Sequence, residues 1–389
     1  MHELDRELRA GAAAVCARYP LDYWARLEES EEFPEDFRRD FVRAGFASIL
    51  IPERYGGGGG TLREQAAAME EAAAAGGGLN ATAAVHIPLL CVPALLAHGS
   101  EEQRQRVLPA IASGELFVTF GVTEPDAGTD TTRITSRARR TTEGWRVSGR
   151  KVWNSGALRA DAVLLLVRTA PAGDGLGGRK GDGLTLLLTP LTGDTVSITP
   201  IPKIGRRAVA SCELVFTDHL VPLDAVVGAV DAGFHHLLSG LNAERLLLAA
   251  ESIGLGRWAL ETACRYARER IVFDRPIGQN QAVAHPLAKA YVQLLAASEV
   301  TLRGLDLYDE GGSAGALGTV ANSAKYLATE AAWACTEAAM QTFGGYAFAR
   351  EYHIGRYWTE TRLGRLAPVN NEMVLNYLAE RELGLPRSY

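Results

Sequence analysis

Three textures of hydrophobic and polar residues follow one another along the chain. From residue 1 to about 115, Ala- and Leu-rich stretches carry Glu and Arg at helical spacing, broken by Pro34, Pro52 and the glycines 56–60. The glycine run lies between the apolar segment 47–51 and a helix opening near Leu62, so it reads as a turn inside a domain rather than a linker. Ser100 with Gln103 three residues on gives an N-cap and capping box, which predicts a helix over 101–112. From about 116 to 225 the pattern changes to short β-branched and Leu-rich runs, at 162–169, 184–191, 196–204 and 212–216, separated by Gly, Asp and Pro. That is the texture of a β-sandwich or barrel. Residues 173–183, Gly-rich with Arg179 and Lys180, read as a surface hairpin loop.

After Pro222 no proline occurs until Pro276, and Leu255, Trp258, Ala259, Thr262, Ala263, Tyr266 and Ala267 recur at helical spacing. Pro286 is expected to open a further helix that Gly311 and Gly312 end; an Ala-rich helix runs from 314 to Gly344 and Gly345, and a last one covers 371–382. The reading is an α+β protein of three domains: N-terminal helical (1–115), middle β (116–225) and C-terminal helical bundle (226–389). No internal repeat of solenoid period is visible.

Composition narrows the function classes. At 389 residues, 47% hydrophobic and 22% charged, the chain has the profile of a globular enzyme, not of a disordered segment. A formal charge of −6 argues against a nucleic-acid surface, although a local basic patch could still hold a phosphorylated ligand. The five cysteines, Cys16, Cys91, Cys212, Cys264 and Cys335, are scattered without a C-x-x-C pair, so no disulfide framework or metal site is expected. The N-terminus is charged where a signal peptide needs an apolar core, and no run of about 18 apolar residues is apparent. A cytoplasmic protein without membrane insertion is expected.

The candidate chemistry centres on FVTFGVTEPDAGTD at 117–130: a strand, then a polar turn in which Pro125 fixes the backbone and Gly128 permits close approach. Such a turn offers N–H groups and hydroxyls to a flat, acceptor-rich ligand. Three more segments follow in order: KVWNSGA (151–157), RERIVFDRPIGQNQA (268–282) and QTFGGYAFAREY (341–352). In this order and spacing the four motifs, over nearly the whole chain, resemble the acyl-CoA dehydrogenase family of flavoenzymes.

The resemblance implies noncovalent FAD. Val122 and Thr123 would meet the pyrimidine edge of the isoalloxazine, and Gly128 and Thr129 the pyrophosphate. Trp153 would pack on the ring, and Ser155, where the family usually has Thr, would keep the hydroxyl near N5. Arg270 and Phe273, supported by Asn280 and Gln281, resemble a pair that reaches the FAD of a neighbouring subunit, and Gln341, Gly344 and Gly345 match a segment lying along that same FAD. Asp274 stands where the family normally has Gly. A site shared between chains implies an oligomer, typically a homotetramer and at least a homodimer.

The implied reaction needs a base for the proton α to a thioester carbonyl. Many members draw it from a C-terminal segment whose matching position here is Pro368, which has no acidic group and no N–H. A second subset carries the base on the first long helix of the C-terminal domain. Asn242, Ala243, Glu244, Arg245 and Leu246 match it, which makes Glu244 the expected base and Arg245 a substrate contact. The implied activity is α,β-dehydrogenation of an acyl thioester, on coenzyme A or an acyl carrier protein, with electrons passed to an electron-transfer flavoprotein. A flavin monooxygenase or nitroalkane oxidase on the same fold is the alternative, and a non-catalytic flavin-binding protein a minor one; Glu244 argues against both.

Overall fold

The computed structural model describes residues 3–171, 181–238 and 240–387. Most of the Gly-rich hairpin expected at 173–183 lies outside the described residues. The N-terminal third is helical: α1 Glu3–Cys16, α2 Leu21–Ser30, α3 Glu35–Arg43, α4 Leu62–Ala72, α5 Gly78–His86, α6 Val92–His98 and α7 Glu101–Ala112. The predicted capping box forms, with Ser100 and Gln103 each satisfying the other's backbone N–H. The glycine run is a turn inside the domain: the N–H groups of Gly58, Gly59 and Gly60 donate to the carbonyls of Ser48, Ile51 and Ile49. A Cβ on Gly57 would stand 2.0 Å from the Ile51 oxygen, so the packing itself demands glycine there. Within Leu62–His98 lies a stretch apolar enough on average to cross a bilayer, contrary to the sequence expectation, but 83% of that window is buried inside the protein.

The middle third forms one curled, mixed sheet from β1 Val118–Gly121, β2 Arg137–Arg140, β3 Trp145–Ser155, β4 Ala162–Arg168, β5 Leu184–Pro190, β6 Val196–Pro200 and β7 Ser211–Val221. Its order is β1-β4-β2-β3-β7-β6, with β5 antiparallel to β4. The continuous apolar run of β4 has a physical reason. Val163, Leu165 and Val167 point into the core of the sheet, while Leu164 and Leu166 point into the core of the N-terminal helices, so both faces are buried. The strand expected at 196–204 stops at Pro200, because Pro200 and Pro202 lack N–H groups for the ladder. Residues after it form the loop that carries Arg206.

The C-terminal part contains α8 Gly233–Leu238, α9 Leu241–Glu269, the hairpin β8 Ile271–Val272 and β9 Arg275–Pro276, α10 Gln281–Asp309, α11 Ala314–Phe343, α12 Ile354–Gly364 and α13 Asn371–Arg381. Helices α9, α10 and α11 pack through Leu246, Ile253, Leu294 and an alanine stripe, Ala324, Ala328 and Ala331, that lets the backbones approach closely. The helix expected to open at Pro286 opens at Gln281 and accommodates the proline near its start, where only one intrahelical hydrogen bond is lost. Helix α12 was not anticipated from the pattern.

Candidate active site

The TEPDAGTD turn leaves β1 and is closed on itself by the paired backbone hydrogen bonds of Glu124 and Ala127. The buried Glu124 carboxylate fixes it from beneath, accepting from the N–H groups of Thr135 and Ser136 and from Lys151 Nζ at 2.8 Å. Burial would raise the Glu124 pKa, but Lys151 and these donors outweigh it and hold the carboxyl at about 2. The Val122 carbonyl accepts from Lys151 Nζ at 3.0 Å and the Thr123 carbonyl from the Val152 N–H at 2.9 Å. This network ties the turn to β3, the strand that carries Trp153 and Ser155.

The register of β3 against β7 breaks between Lys151 and Asn154, and Trp153 in that irregularity has φ 63°. A non-glycine residue in the left-handed region marks a backbone the surroundings have forced. Its effect is to swing the indole outward, where it is 58% exposed. Thr129 receives a hydrogen bond from Asn370 Nδ2 at 3.3 Å, and a Cβ on Gly128 would meet nothing within 4 Å. The exposed indole and the Ser155 hydroxyl stand two residues apart on β3, and Gly128 in the braced turn has open space beside it.

Beside Ser155 stands Arg206, in the loop after β6, a residue that the sequence pattern does not mark. Its Nη2 donates to Ser155 Oγ at 2.6 Å and to Ser211 Oγ at 3.3 Å, while its buried Nε has no hydrogen-bond partner. Burial lowers its pKa, and Glu360, Glu251 and Glu28 counter that effect. No spacing rule marks a single Arg in a loop, which is why KIGRRAVASC passed unremarked.

Glu244 lies in the first turn of α9 with its side chain 15% exposed. Its Oε2 is 2.9 Å from His86 Nε2, and His86 Nδ1 is 2.6 Å from Glu251 Oε1. Burial alone would lower the His86 pKa, but the two carboxylates hold it well above the ordinary imidazole value, so the ring is charged. His86 and Glu251 were also missed. The available signal was a carboxylate seven residues after Glu244 inside the otherwise apolar run 246–255. Arg245 is half-buried in the same helix, with Nη1 on Asn242 Oδ1 at 3.2 Å and its buried Nε unpartnered; burial lowers its pKa.

The remaining predicted residues gather elsewhere. Arg270, Gly344 and Gly345 share a cavity of about 560 Å³ with Tyr266 and Tyr346, and the Arg270 guanidinium lies 5.9 Å from the Tyr346 ring centre. Gly344 has φ 58° and ends α11. Phe273, at the tip of the β8–β9 hairpin, is 92% exposed, and Gln281 and Gln341 are exposed as well. Asn280 is turned inward, accepting from Arg275 Nη2 and donating to the Ile277 carbonyl. Among the described residues, no hydrogen bond or ion pair joins this group to Trp153 or Ser155.

Helical domain, curled sheet and helix bundle, in that order, make the three-part frame of a flavin-dependent oxidoreductase. Sequence models of the acyl-CoA dehydrogenase N-terminal, middle and C-terminal domains match residues 2–115, 119–219 and 231–383, and the chain belongs to the acyl-CoA dehydrogenase family. It is 38% identical over 382 residues to acyl-CoA dehydrogenase fadE12 of Mycobacterium bovis, covering 98% of this chain and 96% of that one. A probable acyl CoA dehydrogenase from Mycobacterium abscessus superposes with a TM-score of 0.92 at 30% identity, covering 98% of this chain and 99% of that one. The structure of a glutaryl-coenzyme A dehydrogenase–glutaryl-CoA complex gives a TM-score of 0.91 at 26% identity, covering 100% and 97%.

Proposed function

We propose that the chain oxidises an acyl thioester to the 2-enoyl thioester, with Glu244 removing the α proton and FAD held against Trp153. The observation that carries this reading is the Glu244 carboxylate: Oε2 lies 2.9 Å from His86 Nε2 as an ion pair without hydrogen-bond alignment, while Oε1 has no polar partner among the described residues and the side chain is still partly open. It is an acceptor positioned but not consumed by the structure. The position that supplies the base in other members is Pro368, which has no acidic group.

The residues present fit FAD. The Trp153 indole offers an apolar platform, Gly128 leaves room for close backbone approach, and Ser155 offers a hydroxyl beside the half-buried Arg206 cation. When bound, the flavin supplies the two-electron acceptor for hydride from Cβ. The chain's own contribution is to fix the plane of that acceptor by the Glu124–Lys151-braced turn, to hold the acyl group over it, and to place Glu244 at Cα. Val122, Thr123, Gly128 and Thr129 would line the flavin from one subunit. Arg270, Phe273, Asn280, Gln281, Gln341, Gly344 and Gly345 would meet the FAD of a partner subunit in a homodimer or homotetramer.

For the carrier, coenzyme A suits a second feature. A cavity of about 1130 Å³ is lined by Arg133, Arg137, Arg139, Arg140, Arg168 and Trp145. Arg168 is spent on the carbonyls of Thr132 and Ile134, but the other four are exposed and have no ion-pair partner among the described residues. On a chain of net charge −6 this local excess of guanidinium favours a phosphorylated ligand. Arg245 would contact the substrate nearer the base, an electron-transfer flavoprotein would take the electrons, and the cytoplasm is the expected compartment.

The test is Glu244→Gln, which keeps shape and removes basicity. Flavin content and thioester binding should hold, while anaerobic bleaching by a panel of acyl-CoA thioesters slows by about 10² to 10⁴, the usual contribution of a positioned base. Bleaching at the wild-type rate would make Glu244 structural.

A further inference from the structure

We propose that His86 is the positioning residue for Glu244, and that Glu251 is the anchor that orients the imidazole; this rests on Glu244 being the base. Glu244 and Glu251 are seven residues apart, which puts them on one face of α9 with about 10.5 Å of axial rise between them. His86, from the C-terminal end of α5, inserts between the two carboxylates and turns one ring nitrogen to each, at 2.9 Å and 2.6 Å. The arrangement is asymmetric. The Glu251 side chain is 4% exposed and its hydrogen bond to Nδ1 is short, whereas Glu244 is 15% exposed and offers Oε1 to the open side. One end is therefore locked and the other presented.

The physical need is plain from the surroundings. Leu246, Leu247, Ala249, Ala250 and Ile253 make the inner face of this helix apolar, and two unscreened carboxylates in such a setting would rotate apart or take up protons. A charged imidazole between them removes both tendencies, and Arg206, which also feels the charge of Glu251, closes the other side of the cluster toward Ser155. Because the Glu251 carboxylate accepts from Nδ1–H, the ring is fixed with Nε2 toward Glu244. The base is then held in one rotamer before substrate arrives, which is where a positioned base gains its advantage.

The experiment uses the flavin-loaded enzyme and single-turnover bleaching by straight-chain acyl-CoA thioesters from butyryl- to palmitoyl-CoA, alongside crystal structures of the variants. His86→Ala should slow bleaching about 10- to 100-fold, within what a positioned base contributes, with flavin content and the thioester concentration dependence unchanged. His86→Gln, which restores an N–H toward Glu244, should recover most of the loss, and Glu251→Gln should fall between. In the Glu244→Gln background His86→Ala should cost nothing more, since both act through one carboxylate. In the crystal, the Glu244 carboxylate of His86→Ala should leave its wild-type position. An unmoved Glu244, or equal losses in the two backgrounds, overturns the positioning role. Wild-type bleaching by Glu244→Gln alone overturns the base assignment and this inference with it. Should His86→Ala fail to fold, Glu251→Gln in the two Glu244 backgrounds carries the same comparison.

Discussion

Lys151 Nζ and Glu124 Oε1 meet at 2.8 Å with essentially no exposure of either side chain, and this pair couples the turn after β1 to the strand that displays Trp153. The ion pair is a brace. Its carboxylate also satisfies two backbone N–H groups and the Thr135 hydroxyl, so removing either partner strands a buried charge.

Lys151→Met should therefore destabilise the protein by about 3–5 kcal/mol, the usual cost of breaking a buried pair from one side. It should also weaken flavin retention, because the Val122 carbonyl loses its partner. The double variant Glu124→Gln with Lys151→Met should be less damaging than the sum of the singles. Denaturant unfolding followed by tryptophan fluorescence checks the first claim, and flavin release on dilution the second. A change under 1 kcal/mol would mean that the turn is held by its backbone bonds alone.

The hairpin tip supplies a different kind of prediction. Phe273 and Asp274 both have positive φ, 52° and 60°, between Val272 and Arg275, which is the backbone of a two-residue turn that favours Asn-Gly or Asp-Gly. Asp274 stands where the resemblance leads one to expect Gly, and the turn geometry is retained with a residue that tolerates it less well. Asp274→Gly should raise stability by up to about 1 kcal/mol, the scale of the left-handed penalty. An unchanged or lowered denaturation midpoint would show that the Asp side chain makes a compensating contact.

The fold was legible because its signals are periodic. Ser100 and Gln103 fix a helix start by local chemistry alone, and β4 reveals itself by an apolar run that must be covered twice. What stayed hidden were contacts set by tertiary geometry. His86 looks like one more residue at the end of an apolar stretch until α5 is laid against α9, and Arg206 becomes noticeable only when its loop folds back on Ser155. The boundary errors have the same origin: Pro286 is read locally as a helix opener, but packing against α9 and α11 extends the helix back to Gln281. Glu244 could be singled out only by resemblance, since a Glu-Arg pair on a helix is common.

Arg270 tests whether the site is shared. Its guanidinium faces a cavity with Tyr346 and Gly345 and has no ion-pair partner among the described residues, and the adjacent Phe273 is 92% exposed in a single chain. Such an apolar side chain invites cover by another subunit. Arg270→Ala should lower flavin occupancy and shift the oligomer toward smaller species together, read by absorbance and sedimentation on one sample. A full complement of flavin on a stable monomer would separate the two roles and reject a shared site.

The charged imidazole predicts a pH dependence of stability with a definite sign. His86 is held well above the ordinary imidazole value in the folded protein, whereas in the unfolded chain it titrates near 6.5, the free value. The folded state binds this proton more tightly, so the contribution is complete below about pH 6.5 and is lost as pH rises through the raised folded value. The carboxylates that face the ring are Glu244 and Glu251, with Arg206 beyond Glu251, and all three are the same in the two proteins compared. The comparison of wild type with His86→Gln between about pH 5.5 and 9.5 therefore isolates the imidazole. The stability advantage of wild type should be largest at the acid end and shrink steadily toward the alkaline end, because Gln keeps hydrogen bonding but cannot carry the charge. Denaturant midpoints measured across that range would reject a charged His86 if the difference between the two proteins stayed constant or grew with pH.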